Sequence, residues 1–255
     1  MDFSGLFSSM VSSFIVYPID VVKSQYQVTS RQSIRPKPVQ LISNIYKTQG
    51  IYGFYKGVSS NLMTYPIFWT VYFSVRDIKL QPTNNKYLNS AAGSMIGATI
   101  GSIVANPLFV LKVRKQTELL RNINVSYTEL TKRIIKNEGI LGFSKGANAT
   151  IFSNTKLILQ FPLYDFFKDQ TSNVVISSLL SKVITSTIYY PMDLVRTIQR
   201  DAPEKISSYT LIKDLIKQGK LYRGCGLYVM LTTPNFVLMM YFKELFDRSF
   251  LKTNN

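Results

Sequence analysis

The sequence predicts an all-α membrane protein: six transmembrane helices in three pseudo-symmetric repeats, each with a short interfacial helix. Three observations lead there: long apolar runs free of charge, a proline motif that recurs three times, and glycine clusters in register with it. The repeats are expected at residues 1–82, 83–170 and 171–255.

Gly57 to Val75 extends about nineteen residues without a charged side chain, Tyr87 to Leu111 about twenty-five, and Gly224 to Phe242 about nineteen. Each is near the roughly twenty residues that cross a bilayer. Three further runs complete the six: Phe3 to Tyr17 is uncharged but short, Gly146 to Tyr164 carries Lys156, and Thr171 to Met192 carries Lys182. A charge inside a span is tolerated where it faces a wet interior rather than lipid. Mean hydropathy is only +0.07, between the soluble and membrane classes, so the distribution of charge along the chain decides and the average does not.

Composition removes several function classes. With 46% hydrophobic and 13% aromatic residues over 255 positions, the chain has too much apolar material to be disordered. A net charge of +16 suits a nucleic-acid binder, but the basic residues lie mainly between the apolar runs, as in Arg31, Arg35, Lys37, Lys47, Lys56 and Arg121, Lys132, Arg133, Lys136, Lys145. That placement fits anionic lipid better than nucleic acid. One Cys and no His exclude a disulfide framework and leave no zinc or haem site, so neither a metal nor a cofactor is expected. Cys225 reads as a small apolar residue opening a span. No nucleophile–base pair suggests an enzyme. The first apolar run has no basic segment before it and is followed directly by Pro18 and Asp20, so it is expected to be a span and not a cleaved signal.

The repeat is seen by aligning the chain on three prolines: Pro18-Ile-Asp20-Val-Val-Lys23, Pro107-Leu-Phe109-Val-Leu-Lys112 and Pro191-Met-Asp193-Leu-Val-Arg196. Small residues stand fourteen, ten and six positions before each proline: Ser4, Ser8, Ser12; Gly93, Gly97, Gly101; Ser177, Ser181, Thr185. A spacing of four places them on one helix face, where they let neighbouring backbones approach in a membrane. Downstream, each copy has an amphipathic stretch and then a glycine cluster: Gly50-Ile-Tyr-Gly53-Phe-Tyr-Lys56-Gly57, Gly139-Ile-Leu-Gly142-Phe-Ser-Lys145-Gly146, and the shorter Gly219-Lys-Leu-Tyr-Arg223-Gly224. The unit is therefore span, interfacial helix, span.

A proline inside a helix deletes a backbone hydrogen bond and kinks the axis, and three kinks at one depth draw three helix ends into a constriction. The acids of the first and third copies, Asp20 and Asp193, and the bases Lys23, Lys112 and Arg196 are then expected to pair between helices and close one end of a pore. Such pairs hold where they are dry and weaken when water enters, which suits a gate.

Three proline motifs, two of them complete as Pro-x-Asp-x-x-Lys/Arg and the other with Phe109 for the acid, each followed by a glycine cluster ending in basic-Gly, resemble the mitochondrial carrier family signature Pro-x-Asp/Glu-x-x-Lys/Arg over essentially the whole chain. The resemblance implies alternating access around a central cavity, a matrix-side gate at the proline motifs, both termini in the intermembrane space, and a multi-pass monomer in the mitochondrial inner membrane. It pairs Asp20 with Lys112 and Asp193 with Lys23, with Gln27 and Gln116 as bracing glutamines. Phe109 replaces the third acid and leaves a cation–π contact for Arg196, while Arg200 replaces the third glutamine. Tyr164-Asp165-Phe-Phe-Lys168 matches the family's opposite, cytoplasmic gate; Asp77 with Arg76 and Lys79, and Glu244 with Lys243, Asp247 and Arg248, supply charges at that depth without the pattern. Gly50, Lys56 and Gly57, Gly139, Lys145 and Gly146, and Gly219, Arg223 and Gly224 resemble cardiolipin-binding helix ends, where free N–H groups and a cation favour a phosphate.

By the same resemblance the substrate contacts fall near Met63 and Thr64, Ser153 and Asn154, and Leu231 and Thr232, with Lys156 as a cavity-facing anion ligand. Phe109 and the run Pro66-Ile-Phe68-Trp69-Thr-Val-Tyr72-Phe73 are similar to the subgroup for pyrimidine nucleotides, NAD, FAD and folate. A planar anion suits aromatic walls with cations beside them, though Trp69 and Phe73 also fit lipid contact or helix packing. The expected cargo is a small anionic solute, a nucleotide; a carrier for NAD, FAD or folate and a non-transporting membrane scaffold are the alternatives. Abundant Asn, Lys, Ile and Tyr fit an AT-rich genome such as that of a parasite or a large DNA virus, and a viral chain would use the host's mitochondrion.

Overall fold

A computed structural model describes residues 3–31, 36–76, 86–121 and 124–253, and within them every regular element is helical. Ten α-helices follow in order: α1 (Phe3–Val28), α2 (Pro38–Gln49), α3 (Val58–Arg76), α4 (Lys86–Thr117), α5 (Tyr127–Glu138), α6 (Ala147–Asn154), α7 (Lys156–Thr171), α8 (Val174–Asp201), α9 (Ser208–Lys217) and α10 (Cys225–Thr253). Six spans result, because α6 and α7 are one span interrupted at Thr155. By length and hydropathy alone, Met95–Arg121 and Cys225–Phe242 qualify to cross a membrane. The Gly57 to Val75 run does not reach that standard despite its lack of charge; serine, threonine, asparagine and tyrosine dilute it.

The long helices run on through their prolines: Pro18 lies inside α1, Pro107 inside α4 and Pro191 inside α8. Small residues buy close contact between these helices. Ser12, Ser177, Ser181 and Thr185 are buried, as are Gly93, Gly97 and Gly101. A methyl group added at Gly101 would meet the Phe68 carbonyl oxygen at 3.0 Å, so α3 and α4 approach to backbone contact there.

The three interfacial helices are built alike. Each is amphipathic and buries two apolar residues four apart, Leu41 and Ile45 on α2, Leu130 and Ile134 on α5, and Leu211 and Leu215 on α9. Each ends near a glycine with positive φ: Gly50 at 61°, Gly139 at 69° and Gly219 at 62°. The buried pairs pack under the proline motifs and give three related cores. Tyr17, Val21, Val22 and Ile45 form the first, Val110, Leu130 and Ile134 the second, and Tyr190, Leu194, Val195, Ile198, Leu211 and Leu215 are at the heart of the third.

Candidate functional site

The site is a cavity of about 320 Å³ among α1, α3, α4, α7, α8 and α10. Its floor is at the level of the prolines, where Asp20, Lys23, Lys112 and Arg196 line it. Its walls hold Lys156 and Lys182, the aromatic rings of Tyr65, Trp69, Tyr228 and Phe236, and Leu231, Thr232 and Asn235.

Two carboxylates organise the floor. Asp20 on α1 meets Lys112 on α4 at 2.8 Å and accepts a hydrogen bond from Gln116 at 3.1 Å. Its other oxygen takes Lys23, one turn along the same helix. Lys23 therefore does not reach Asp193; its ammonium lies 6.0 Å from the centre of the Tyr228 ring. Asp193 on α8 is 1% exposed and carries more partners. Arg196 binds it at 2.6 Å, Lys156 at 3.3 Å, the Ser153 hydroxyl at 2.6 Å and the Tyr228 hydroxyl at 2.5 Å. Between α1 and α8 the Thr197 hydroxyl donates to the Gln27 side-chain oxygen Oε1 at 3.0 Å.

The third position has no acid, and the cation over Phe109 is Arg200 rather than Arg196. The Arg200 guanidinium carbon lies 4.5 Å from the ring centre, and its Nη2 donates to Asn106 and to Thr150 at 3.0 Å each. Arg196 is held by Asp193 on its own helix, which is why the expected Arg196–Phe109 contact does not form.

The positions expected from sequence to contact substrate divide by helix. Leu231 and Thr232 on α10 line the cavity, as does Lys156 at the start of α7. On α3 the lining residues are Tyr65 and Trp69; Met63 is 64% exposed, and the Thr64 hydroxyl bonds the Ser60 carbonyl. Ser153 is committed to Asp193, and Asn154 donates to the Ala98 carbonyl and the Ser102 hydroxyl on α4. That anchor ends α6, and the break at Thr155 starts α7 at Lys156. Trp69 faces the cavity, while Phe68 packs on Gly101.

At the opposite end, Asp165 is exposed without an ion pair among the described residues, Lys168 lies 5.7 Å over the Tyr164 ring, and Glu244 is half-buried. Asp77 and Lys79, with the side chains of Arg76, Lys243, Asp247 and Arg248, lie outside the described residues.

The cations of the glycine clusters do not all face outward. Lys56 reaches Glu118 at 3.4 Å and Asn124 at 3.0 Å, and Lys145, which is buried, reaches Glu138 at 2.5 Å and the Ala202 carbonyl at 2.9 Å. Arg223 is exposed. Arg121, read from sequence as lipid-facing, instead binds Asp201 at 2.7 Å. Lys56 and Arg121 reach carboxylates of the next repeat, and Lys145 and Arg121 each also bond a carbonyl at the C-terminal end of α8, where a cation is favourable. Burial alone would raise the Glu138 carboxyl, but hydrogen bonds from Arg114 and Lys145, with their charges, hold it below the usual carboxylate range.

Sequence reasoning missed one threefold device. The residue before each proline donates to the carbonyl of the basic residue before the glycine: Tyr17 to Lys56 at 3.0 Å, Asn106 to Lys145 at 3.0 Å, and Tyr190 to Arg223 at 2.7 Å. The signal was present, as a polar-tipped side chain at one position of all three copies. The glycine that follows is correspondingly tight. Gly57, at φ 88°, would place a methyl 2.7 Å from the Tyr17 hydroxyl, and Gly146, at φ 76°, would place one 2.9 Å from Arg200 Cγ. Gly57→Ala and Gly146→Ala are each expected to destabilise by about 1–3 kcal/mol beyond the backbone strain. Gly139→Ala, with open space at φ 69°, is the control carrying the strain alone, and thermal unfolding of the three purified variants makes the comparison.

Comparison with known proteins agrees with this architecture. The sequence pattern of mitochondrial carrier proteins matches residues 3–80, 83–173 and 169–254. The mitochondrial nicotinamide adenine dinucleotide transporter 2 of Arabidopsis thaliana is 30% identical over 286 residues, covering 97% of this chain and 78% of that protein. The chloroplastic transporter 1 for the same dinucleotide, from the same plant, is 27% identical, covering 98% and 91%. The mitochondrial pyrimidine nucleotide transporter of Saccharomyces cerevisiae is 26% identical over 308 residues, covering 92% and 82%.

Proposed function

The chain belongs to the mitochondrial carrier family, and from that premise we propose that it exchanges nucleotides across a membrane by alternating access. The observation that carries the reading is the cavity itself, in which Lys23, Lys112, Lys156, Lys182 and Arg196 stand beside Tyr65, Trp69, Tyr228 and Phe236. Cations take the phosphate and ring faces take the base. The relatives named for pyrimidine nucleotides and for nicotinamide adenine dinucleotide support the same solute class.

The arrangement also suggests how occupancy is coupled to opening. Lys156 and Arg196 both line the cavity and both bind Asp193. An arriving phosphate competes with Asp193 for them, so the substrate weakens the contacts that close the floor. A ligand shifts a conformational equilibrium only by its differential affinity for the two states, and this competition is a source of that difference. The Asp20–Lys112 and Asp193-centred contacts are the matrix gate in this reading, with Pro18, Pro107 and Pro191 setting its depth. Asp165, Lys168, Glu244 and Asp77 belong to the opposite gate. Anionic lipid, including cardiolipin, is assigned to the N–H groups at the helix starts after Gly57, Gly146 and Gly224. The mitochondrial inner membrane is the proposed location, with the protein acting as a monomer.

A second reading, transport of nicotinamide adenine dinucleotide, is favoured by the names of the two plant relatives. A cavity of about 320 Å³ lies at the low end of the roughly 300–1,000 Å³ typical of small-molecule sites and suits a mononucleotide better than an extended dinucleotide. Purified protein reconstituted in liposomes loaded with unlabelled nucleotide is expected to take up labelled pyrimidine nucleotides in exchange. Dicarboxylates and folate serve as comparison solutes. Robust exchange of one of those with none of any nucleotide overturns the proposal, and preferential exchange of the dinucleotide selects the second reading.

A further inference from the structure

Four of the five cavity cations are already engaged. Lys23 and Lys112 hold Asp20, while Lys156 and Arg196 hold Asp193. Lys182 differs. It lines the cavity from α8, eleven residues before Asp193, which places it about 16 Å toward the other end of the helix at 1.5 Å per residue. No carboxylate meets it among the described residues, and its ammonium lies 5.2 Å from the centre of the Phe236 ring. An ionisable side chain inside a membrane span is expensive to keep without a counter-charge, and an uncompensated one facing a cavity marks a place where an anion is taken up.

We propose that Lys182 is the specificity-determining residue that first receives the phosphate of an entering nucleotide, above the cations committed to Asp20 and Asp193. This rests on the nucleotide reading above. A phosphate held at Lys182 has Phe236 beside it on α10, and Trp69 lines the same cavity from α3, so phosphate and base are offered separate surfaces. Its descent to Lys156 and Arg196 then begins the competition with Asp193. Lys182 sorts solutes by anionic charge before the floor is disturbed, and a nucleoside without phosphate fails at this step.

The test compares wild type with Lys182→Gln and Lys182→Arg in two measurements, each made with UMP and NAD in parallel and with uridine as the uncharged arm. In liposomes, Lys182→Gln is expected to raise KM for the exchanged nucleotide at least about tenfold, the size of one lost charge-assisted hydrogen bond, while Lys182→Arg stays near wild type. In detergent, nucleotide is expected to raise the Tm of wild type and Lys182→Arg but not of Lys182→Gln, and uridine to raise none. The ligand-free Tm of Lys182→Gln should equal or exceed that of wild type, because an uncompensated charge has been removed; a merely structural lysine would lower it. A Lys182→Gln protein that keeps wild-type KM and the full nucleotide-induced Tm shift overturns the assignment alone. A wild-type protein that exchanges neither UMP nor NAD overturns the nucleotide reading and this assignment with it.

Discussion

Replacing Asp193 with alanine is expected to abolish exchange. The carboxylate is buried and is the common partner of Arg196, Lys156, Ser153 and Tyr228, from α8, α7, α6 and α10. Its removal leaves two cations in a desolvated floor without their counter-charge. Breaking one partner from a buried ion pair costs about 3–5 kcal/mol, roughly a hundredfold to a few thousandfold in the equilibrium between closed and open floor. The closed state then no longer forms as a stable stage of the cycle, and counter-exchange in liposomes should fall to the leak level. Ser153→Ala and Tyr228→Phe each remove a single hydrogen bond to the carboxylate, worth about 1.5–3 kcal/mol, and should slow exchange without ending it. Lys112→Ala is expected to be milder than Asp193→Ala, because Asp20 retains Lys23 and Gln116. Wild-type exchange by Asp193→Ala would show that this carboxylate does not close the floor.

The backbone-level features of this protein were legible in the sequence and the side-chain partnerships much less so. Prolines within helices, glycines at positive φ and small residues at a spacing of four each answer a steric demand that few other residues meet, so their recurrence alone specified the three repeats. Leu231 and Thr232 line the cavity as expected, whereas on α3 the lining residues are Tyr65 and Trp69 and Met63 is exposed. One residue along a helix is a turn of about 100°, enough to move a side chain from cavity to lipid. Partner choice depends on the reach of long side chains, which spacing does not encode. Lys23 finds Asp20 one turn away on its own helix, and Lys56 and Lys145 turn inward to Glu118 and Glu138. The tethers from Tyr17, Asn106 and Tyr190 were hidden for another reason: two different residue types do one job.

Introducing an acid at the third position of the floor, Phe109→Asp, is expected to slow exchange severalfold and raise the Tm. In the wild-type protein this seam is latched by Arg200, stacked 4.5 Å over Phe109 and bonded to Asn106 and Thr150, with no carboxylate paired to it among the described residues. A cation–π contact is worth about 0.5–2 kcal/mol, less than a desolvated, hydrogen-bonded ion pair would resist on opening. The seam between α4 and α8 is therefore closed by a weaker contact at the level of the prolines. It is reinforced one layer lower, where Arg114 donates to the Arg200 carbonyl at 3.0 Å and Arg121 binds Asp201 at 2.7 Å. Phe109→Ala and Arg200→Met should each loosen the upper layer, and together they should cost less than the sum of the two, with a coupling of about 0.5–2 kcal/mol in the Tm-derived stabilities. Exchange rates sort the possibilities. Slower exchange in Phe109→Asp together with faster exchange in Phe109→Ala means that opening of this seam limits turnover, and the missing acid is then what sets the speed of the carrier. Unchanged rates in both variants would place the slow step at another seam, with the Thr197–Gln27 contact between α8 and α1 as the next to be tested.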